Sequence, residues 1–448
     1  MEVNKQREIF KPEQTFHPKW YIFKELEIGK MYDSIPWADL STCLPDQDKG
    51  NRGAPRWLSN RGMFGLMFLK HYLNVSDKKL IERFNTDWSL QLFCGKVLKE
   101  NELIRDMNLP SRIRSFIAEN ADLNKVQSVL LSHWKTDMEN THVLCMDATA
   151  YESYIRFPTD VKLLWESNQW VYEKLLFKLC KLTGEKRPRN KYVDQKKKQL
   201  VYSRMRRKSY KKGKIRKRSL LYLLKKGLAL LQDLLNSQPT IQLTKEQYSR
   251  IRTIKKVLEQ QQYMFDHSAQ KVAGRIVSLH KPYLRPIVRG KENKAVEFGM
   301  KAHVLQCDGI SYFDTMSFNA FNECKRLKVS VLKHKKHFKE LHQLSADRIY
   351  PTNENRRYVT AKKIFTNFAK KGPVKLPKPE KILQAQLNKV RSTQLEGSFG
   401  NHKNHYSLRK IKARGEDNER VWVFFGVMAA NAMKMVGKKA PPQNKQAA

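Results

Sequence analysis

Apolar and polar positions alternate along the chain with different periods, and the period assigns the elements. In GMFGLMFLKHYLNVSDKKLIERFNTDWSLQLFCG, Phe64, Met67, Phe68 and Tyr72 recur at helical spacing, and Leu80, Ile81 and Phe84 continue it after Ser76. A serine before such a run caps a helix by accepting from a first-turn amide. Two short helices with a turn at Asn74-Val75-Ser76-Asp77 are therefore predicted, a helix-turn-helix-like unit that either touches DNA or only packs. Residues 111–138 predict a further amphipathic helix with Ile113, Phe116, Ile117, Leu130 and Trp134 on its apolar face. HVLCMDAT differs: it is a strand buried on both faces, ending at Asp147. YESYIRF alternates like a strand, Pro158 ends it, and Asp160 is placed to cap a helix. Residues 1–52 show no clear period and read as an irregular arm with a short helix or two.

From Val161 to about Ala273 the pattern is helical. One helix runs through Leu164, Asn168, Val171, Leu175 and Leu179 and stops at Gly184, and Leu220–Leu235 mark a second. A third opens at the capping box Thr244-Lys245-Glu246-Gln247. MKAHVLQC and ISYFDTMSF are two strands joined by Asp308-Gly309, a hairpin turn that accounts for Asp308 without chemistry. A basic helix over Asn319–His337, a central strand over Glu340–Ser345 leading to Asp347, and a helix over Asn353–Phe368 follow. A loop over Gly372–Lys381, a helix beginning near Thr393, and an apolar helix over Val421–Met433 close the chain.

Charge changes the picture. Lys and Arg total 87 against 43 Asp and Glu, a formal net charge of +44. An excess of this size points to a polyanion, nucleic acid above all, and away from a small-molecule enzyme. Basic residues crowd between Lys186 and Lys226, including Arg206, Arg207 and Lys211, with tyrosines at 192, 202 and 210 between them. Such a run is a solvated face or a nucleic-acid surface, and the interleaved rings favour the second. No apolar run reaches membrane-spanning length, and MEVNKQREIF lacks the apolar segment of a signal peptide, so a soluble intracellular protein is expected. The six cysteines form no C-x-x-C pair and read as reduced, buried hydrophobes.

The stretch RSTQLEGSFGNHKNHYSLRKIKAR carries the chemistry. On one helix Glu396, Phe399, Gly400 and Lys403 share a face, presenting a carboxylate beside an ammonium with a glycine between them. HVLCMDATAYESYI and LHQLSADRIYPTNENRRYV supply Asp147 and Asp347. Each acid has a second reading: Asp147 bonded to the Thr149 turn, Asp347 paired with Arg348, and Glu396 closing a capping box with Thr393. His334, His337, His402 and His405 lie among lysines, which disfavours a metal cation; they read as DNA-facing or solvated.

LEGSFGNHKNHYSLRKIKAR, preceded by MDAT and ADRIYPTNENRR, resembles the DDE transposases of bacterial insertion sequences, as does RPIVRGKENKAVEFGMKAHV. The resemblance covers about Gly53 to Met433. It implies an α/β fold: a ribonuclease-H-like mixed sheet with a large helical insertion and an all-helical N-terminal domain. The expected boundaries are 1–140 for the helical DNA-binding domain and 141–435 for the catalytic domain. The insertion would span 161–274 and a disordered tail 436–448. Asp147, Asp347 and Glu396 would hold two magnesium ions, with manganese able to substitute, and would cleave and join DNA. Two metal ions suit that chemistry because they neutralise phosphate charge, activate the nucleophile and stabilise the leaving oxygen. Lys403 would grip a phosphate, and Tyr406, Arg409, Arg414, Arg356, Arg357 and Lys291 would join it on double-stranded DNA, both terminal inverted repeats and target. A homodimer in the active complex and a nucleoid-associated place in a bacterial cytoplasm go with this. A related signature sets an arginine four residues before the glutamate; here position 392 is serine and Arg391 lies five residues before it. On a continuous α-helix Arg391 would point about 140° away from Glu396. The rival expectations are a non-catalytic DNA- or RNA-binding protein and a domesticated, inactive transposase.

Overall fold

The computed structural model describes residues 17–45, 56–291, 294–372 and 376–439, with only the backbone of 289–291, 294 and 295. The chain forms two compact units, one from 1–154 and 300–448, the other from 155–299. The first unit opens with helices α1 (Trp20–Glu25), α2 (Glu27–Asp33) and α3 (Trp37–Ser41), then α4 (Asn60–Tyr72), α5 (Asp77–Thr86) and α6 (Trp88–Cys94). Ser76 caps α5 as its sequence implies, accepting from the Lys79 amide at 3.1 Å. The single helix expected over 111–138 is two, α7 (Leu109–Asn120) and α8 (Leu123–Trp134). Asp122 breaks it by capping α8, accepting from the Asn124 amide. Strand β1 (Val143–Glu152) runs five residues past Asp147, which therefore sits mid-strand and not at its end.

The second unit is mainly helical. It contains α9 (Asp160–Gln169), a π-helical segment (Trp170–Leu176), α10 (Phe177–Thr183), α11 (Tyr192–Arg204), α12 (Tyr210–Ser237), α13 (Lys245–Asp266) and strand β2 (Pro286–Lys291). Its core gathers Leu164, Tyr172, Leu175, Leu220, Leu224 and Ile254. Thr244 and Gln247 form the predicted capping box of α13. Asp160 does not cap α9; Thr159 does. Asp160 instead ties three helices and a loop together, accepting from Lys217, from Arg275 at 2.5 Å and from Gln261 at 3.2 Å. The basic block is more ordered than its charge suggests. Tyr192 is buried and stacks on Tyr172 at 4.9 Å, and Arg216 is buried against Gln195 and Gln199. Of the three tyrosines expected to face nucleic acid, Tyr210 is the exposed one.

Strand β3 (Lys294–Cys307) pairs antiparallel with β2 over its first residues and with β4 (Ile310–Ser317) from Lys301 onward. Asp308 and Gly309 both take positive φ in the turn, as a two-residue hairpin requires. Then come α14 (Leu327–Phe338), β5 (Gln343–Ala346), α15 (Asn353–Ala361) and β6 (Phe365–Thr366), a strand where a helix was expected. The helix carrying Glu396 begins not near Thr393 but at Lys378. It runs as α16 (Lys378–Val390), a π-helical turn (Arg391–Leu395) and α17 (Glu396–His405), and α18 (Glu416–Lys439) follows. Residues 436–439, expected in the disordered tail, are helical; the rest of that expected tail, 440–448, lies outside the described residues. In the first unit β4, β3, β1, β5 and β6 lie side by side, with β5 parallel to both β1 and β6. The fold is thus mixed α/β with a mixed sheet and many helices, and among the described residues no helix is long and apolar enough to cross a membrane.

Helix α18 is the core of this unit. Val421, Phe424, Phe425, Met428 and Ala432 are buried against α4, α7 and β4. Gly426 permits the close approach of Leu408: a Cβ there would stand 2.5 Å from its Cδ2. The backbone of β4 on its outer edge is satisfied by side-chain amides. Asn431 bonds the Ser311 amide and carbonyl at 3.0 and 2.6 Å, and Gln127 does the same for Phe313 at 2.8 and 3.1 Å. These contacts explain an asparagine inside an apolar helix and cover an edge that would otherwise invite pairing.

Candidate active site

Three carboxylates, far apart in sequence, surround one guanidinium. Arg391 Nη1 lies 3.1 Å from Asp147 Oδ2 and 2.9 Å from Glu396 Oε1, and its Nη2 lies 3.9 Å from Asp347 Oδ1. Sheet register supplies the first two acids. Val143–Met146 pair in parallel with Gln343–Ala346, so the next residue on each strand path is an aspartate, Asp147 beside Asp347. The helix supplies the third acid and the arginine.

Arg391 overturns the α-helical expectation. In a π turn, residues i and i+5 are hydrogen-bonded and lie nearly one turn apart. The segment Arg391–Leu395 is π-helical, so a spacing of five brings Arg391 over Glu396. The other local readings are also replaced. No capping box forms at Thr393, whose hydroxyl donates to the Lys389 carbonyl at 2.7 Å within a continuous helix. Asp347 pairs with Arg391 and not with Arg348. Asp147 Oδ1 accepts from the Ala148 amide at 2.7 Å, while Thr149 faces Lys403 Nζ at 3.3 Å. Glu396, Gly400 and Lys403 keep a common outer face, but Phe399 turns inward and is buried.

The acids differ in burial. The Asp147 side chain is 17% exposed, against 48% for Asp347 and 49% for Glu396. Burial pushes the Asp147 carboxyl up to about 6; the Ala148 amide and Arg391 pull it down, and Asp347 and Glu323 push it up again. Even with an arginine present, the site is short of positive charge. Glu323 adds to that shortage and is itself held by Lys301 at 2.6 Å. The donors are hard oxygens from three carboxylates, which is the ligand type magnesium or manganese takes. Among the described residues no group of three or more His, Cys, Asp or Glu side chains stands close enough together to enclose an ion; these three acids are arranged around the guanidinium.

Buried polar chains brace each part. The Tyr350 amide donates to the Asp347 carbonyl, and the Tyr350 hydroxyl meets His303 Nε2 at 2.7 Å. His303 Nδ1 meets Asp314, which Arg326 grips through two nitrogens at 2.8 and 3.0 Å. Burial would raise the Asp314 carboxyl, but the bonds from His303 and Arg326 prevail and hold it at about 2. Behind α17, Ser398 accepts from Gln306 and from Lys434 at 2.9 and 2.8 Å. Burial lowers Lys434 to about 8.

Of the other residues singled out, Arg409, Arg414, Arg357, Arg206, Arg207 and Lys211 are exposed. Tyr406 is half-buried, and its carbonyl bonds His71 Nδ1 at 3.0 Å. Arg356 is half-buried over Phe368 and donates to the Pro351 carbonyl. The Lys291 side chain lies outside the described residues. Two histidines are not on the surface: His334 and His402 are fully buried, bonded to Tyr312 and Tyr151, and burial lowers them to about 4 and 3. Sequence reasoning missed Glu323, Lys301 and the Tyr350–His303–Asp314 chain. For Arg391 a signal existed: a spacing one residue too long is what a π turn absorbs.

Residues 23–115, which hold most of the N-terminal helices and none of the three acids, match the family described as Transposase domain (DUF772). No curated protein and no solved structure matches the chain. The match supports a transposase family for this protein.

Proposed function

We propose that the chain is a DDE-type DNA transposase that binds the ends of its element, hydrolyses a phosphodiester there and joins the freed 3′ hydroxyl to target DNA. The observation that carries this reading is the convergence of Asp147, Asp347 and Glu396 on one point, the Arg391 guanidinium. Strand order supports it. An antiparallel β3–β4 hairpin lies beside β1, followed outward by the parallel strands β5 and β6, an order compatible with the ribonuclease-H-like sheet that this reading expects.

In this reading Asp147, Asp347 and Glu396 hold two divalent ions. When bound, the ions would supply charge neutralisation and activation for an in-line displacement at phosphorus. Asp147 is fixed on the sheet and sets the position of the site. Glu396 closes it from the helix, and Arg391 offsets part of the acids' mutual repulsion. Lys403 lies on the Glu396 face, two helical turns on, and holds a phosphate. Gly397 and Gly400 leave that face bare: a Cβ at either would meet nothing within 4 Å. Two glycines weaken a short helix by about 0.5–1 kcal/mol each relative to alanine, with no packing reason here, so close approach of a ligand is the compensating use. Each chemical step forms one P–O bond and breaks one, first with water, then with the 3′ hydroxyl. Two element ends must be handled together, which makes a homodimer the working unit.

The test is magnesium-dependent nicking of end-containing duplex DNA by the wild type and by Asp147→Ala. The variant is expected to lose far more than the roughly 10–100-fold that removal of an outer-shell partner costs. Equal nicking by both proteins would remove the enzyme and leave a nucleic-acid-binding protein.

A further inference from the structure

A second charged feature lies next to the carboxylates. A cleft of about 740 Å³ in the first unit is walled by the α4–α5 turn, by α7, and by the chain from the end of α17 to the start of α18. Seven basic side chains line it against one carboxylate, Asp77. At its floor, Lys70 and Arg114 are each about 2% exposed. Both pair with Asp77, at 3.4 and 3.2 Å, and both sit over the Trp422 ring, at 4.8 and 4.6 Å. One carboxylate cannot neutralise two buried cations, so the floor carries a net positive charge. Burial lowers Lys70 to about 8 although Asp77 opposes it, which an added anion would reverse. At the rim, Arg409, Lys412 and Arg414 are exposed and form no ion pair among the described residues.

The cleft is rigid. Asn74 donates to the Asn404 carbonyl at 3.3 Å and accepts from the Ser407 hydroxyl at 2.6 Å, and the Trp422 indole donates to the Ser407 carbonyl at 3.0 Å. These bonds fasten the α4–α5 turn to the end of the helix that carries Glu396. Lys403 belongs to both places: it lines the cleft and reaches Thr149, two residues from Asp147 on the same face of β1. From Glu396 to Lys403 the helix rises about 10 Å, the length of about three base-pair steps measured along a duplex axis at about 3.4 Å each.

We propose that this cleft seats the backbone phosphates of the DNA strand whose neighbouring phosphodiester lies at the three carboxylates. The placement rests on the cutting site being where the acids converge. The ligand class is a short stretch of phosphodiester backbone, recognised by charge and independent of base sequence. The N-terminal helices thereby act as one wall of the strand's path.

The experiment is lysine acetylation footprinting of the full chain, read by mass spectrometry, with a short single-stranded oligonucleotide in chelator. It is paired with salt-dependent binding of the wild type and of Lys412→Ala/Arg414→Ala. Both substituted side chains are exposed, and the wild-type footprint stands independently of the variant's folding. Protection of Lys403, Lys410 and Lys412 is expected, with a log–log salt slope shallower by about 1.4 in the double variant, at about 0.7 per phosphate lost. Unprotected lysines with an unchanged slope would overturn the cleft. So would equal protection by inorganic phosphate at the same concentration, which would make it a simple anion site. Because no divalent ion is present, the outcome is separable from nicking. Protection of these lysines, together with equal nicking by the wild type and Asp147→Ala in magnesium, would sustain the phosphate track and remove the cutting site.

Discussion

Among the described residues there are two π-helical segments, and they serve opposite ends. In the second unit, Trp170–Leu176 turns Val171, Tyr172, Leu175 and Leu176 into a helical core. Tyr172 fits only because residue 227 is glycine: a Cβ there would stand 2.6 Å from its ring. In the first unit, Arg391–Leu395 buries Leu395 alone and sets Arg391 against Glu396. One widened turn is compensated by packing, the other by gathering an arginine and three acids. A π turn is therefore not a signature of function by itself; what it aims, and at what, decides.

The comparison breaks most easily at its packed member. Tyr172→Ala removes a buried ring and its hydroxyl bond to the Leu223 carbonyl at 3.1 Å. It should cost about 3–5 kcal/mol in denaturant unfolding. DNA nicking per folded molecule should be unchanged; a selective loss of nicking would contradict the division of labour.

The charged member should respond to pH. The Asp147 carboxyl is raised in the fold to about 6, from an ordinary value near 3.9 when unfolded. The folded state therefore binds this proton more tightly. The resulting stability is complete below pH ~4 and is lost as pH rises through about 6. A shift of about two units corresponds to about 3 kcal/mol. Asp147→Asn removes this dependence, so in chelator its stability relative to wild type should climb across that window. A flat difference would show that Asp147 is not buried as described.

Smaller effects test the turn. Arg391→Ala should lower nicking roughly 10–100-fold, as loss of an outer-shell partner does. Deleting Ser392 shortens the spacing to four and restores an α-helical register, in which Arg391 still reaches Glu396. That deletion should change stability by about 1 kcal/mol or less and nicking by less than roughly tenfold. If it is as damaging as Arg391→Ala, the π geometry itself is needed.

These contrasts also show what was legible beforehand. Features fixed by neighbours in sequence were readable: the Ser76 cap, the Asp308-Gly309 turn, the Thr244 box and the apolar face of α18. The three acids could be singled out because each stands in a distinctive local run. Features fixed by distant partners were not. Asp160 has the sequence of a cap but is claimed by Lys217 and Arg275, and Tyr192 has the setting of a surface ring but is drawn onto Tyr172. Phe365–Thr366 is too short for a period and is a strand only because β5 lies beside it. The π turn at Arg391 defeats helical bookkeeping, since one extra residue rotates everything before it.

The four side chains of the cluster are contributed by residues 147, 347, 391 and 396, so most of the chain must leave the ribosome before they can meet. Helix α18, translated last among the described elements, packs against the sheet and α17 and anchors β4 through Asn431. A nascent or prematurely terminated product that stops short of residue 347 thus holds Asp147 without its companions. Assembly of the cluster is a late event of synthesis, and the fold itself delays the moment at which these groups can act together.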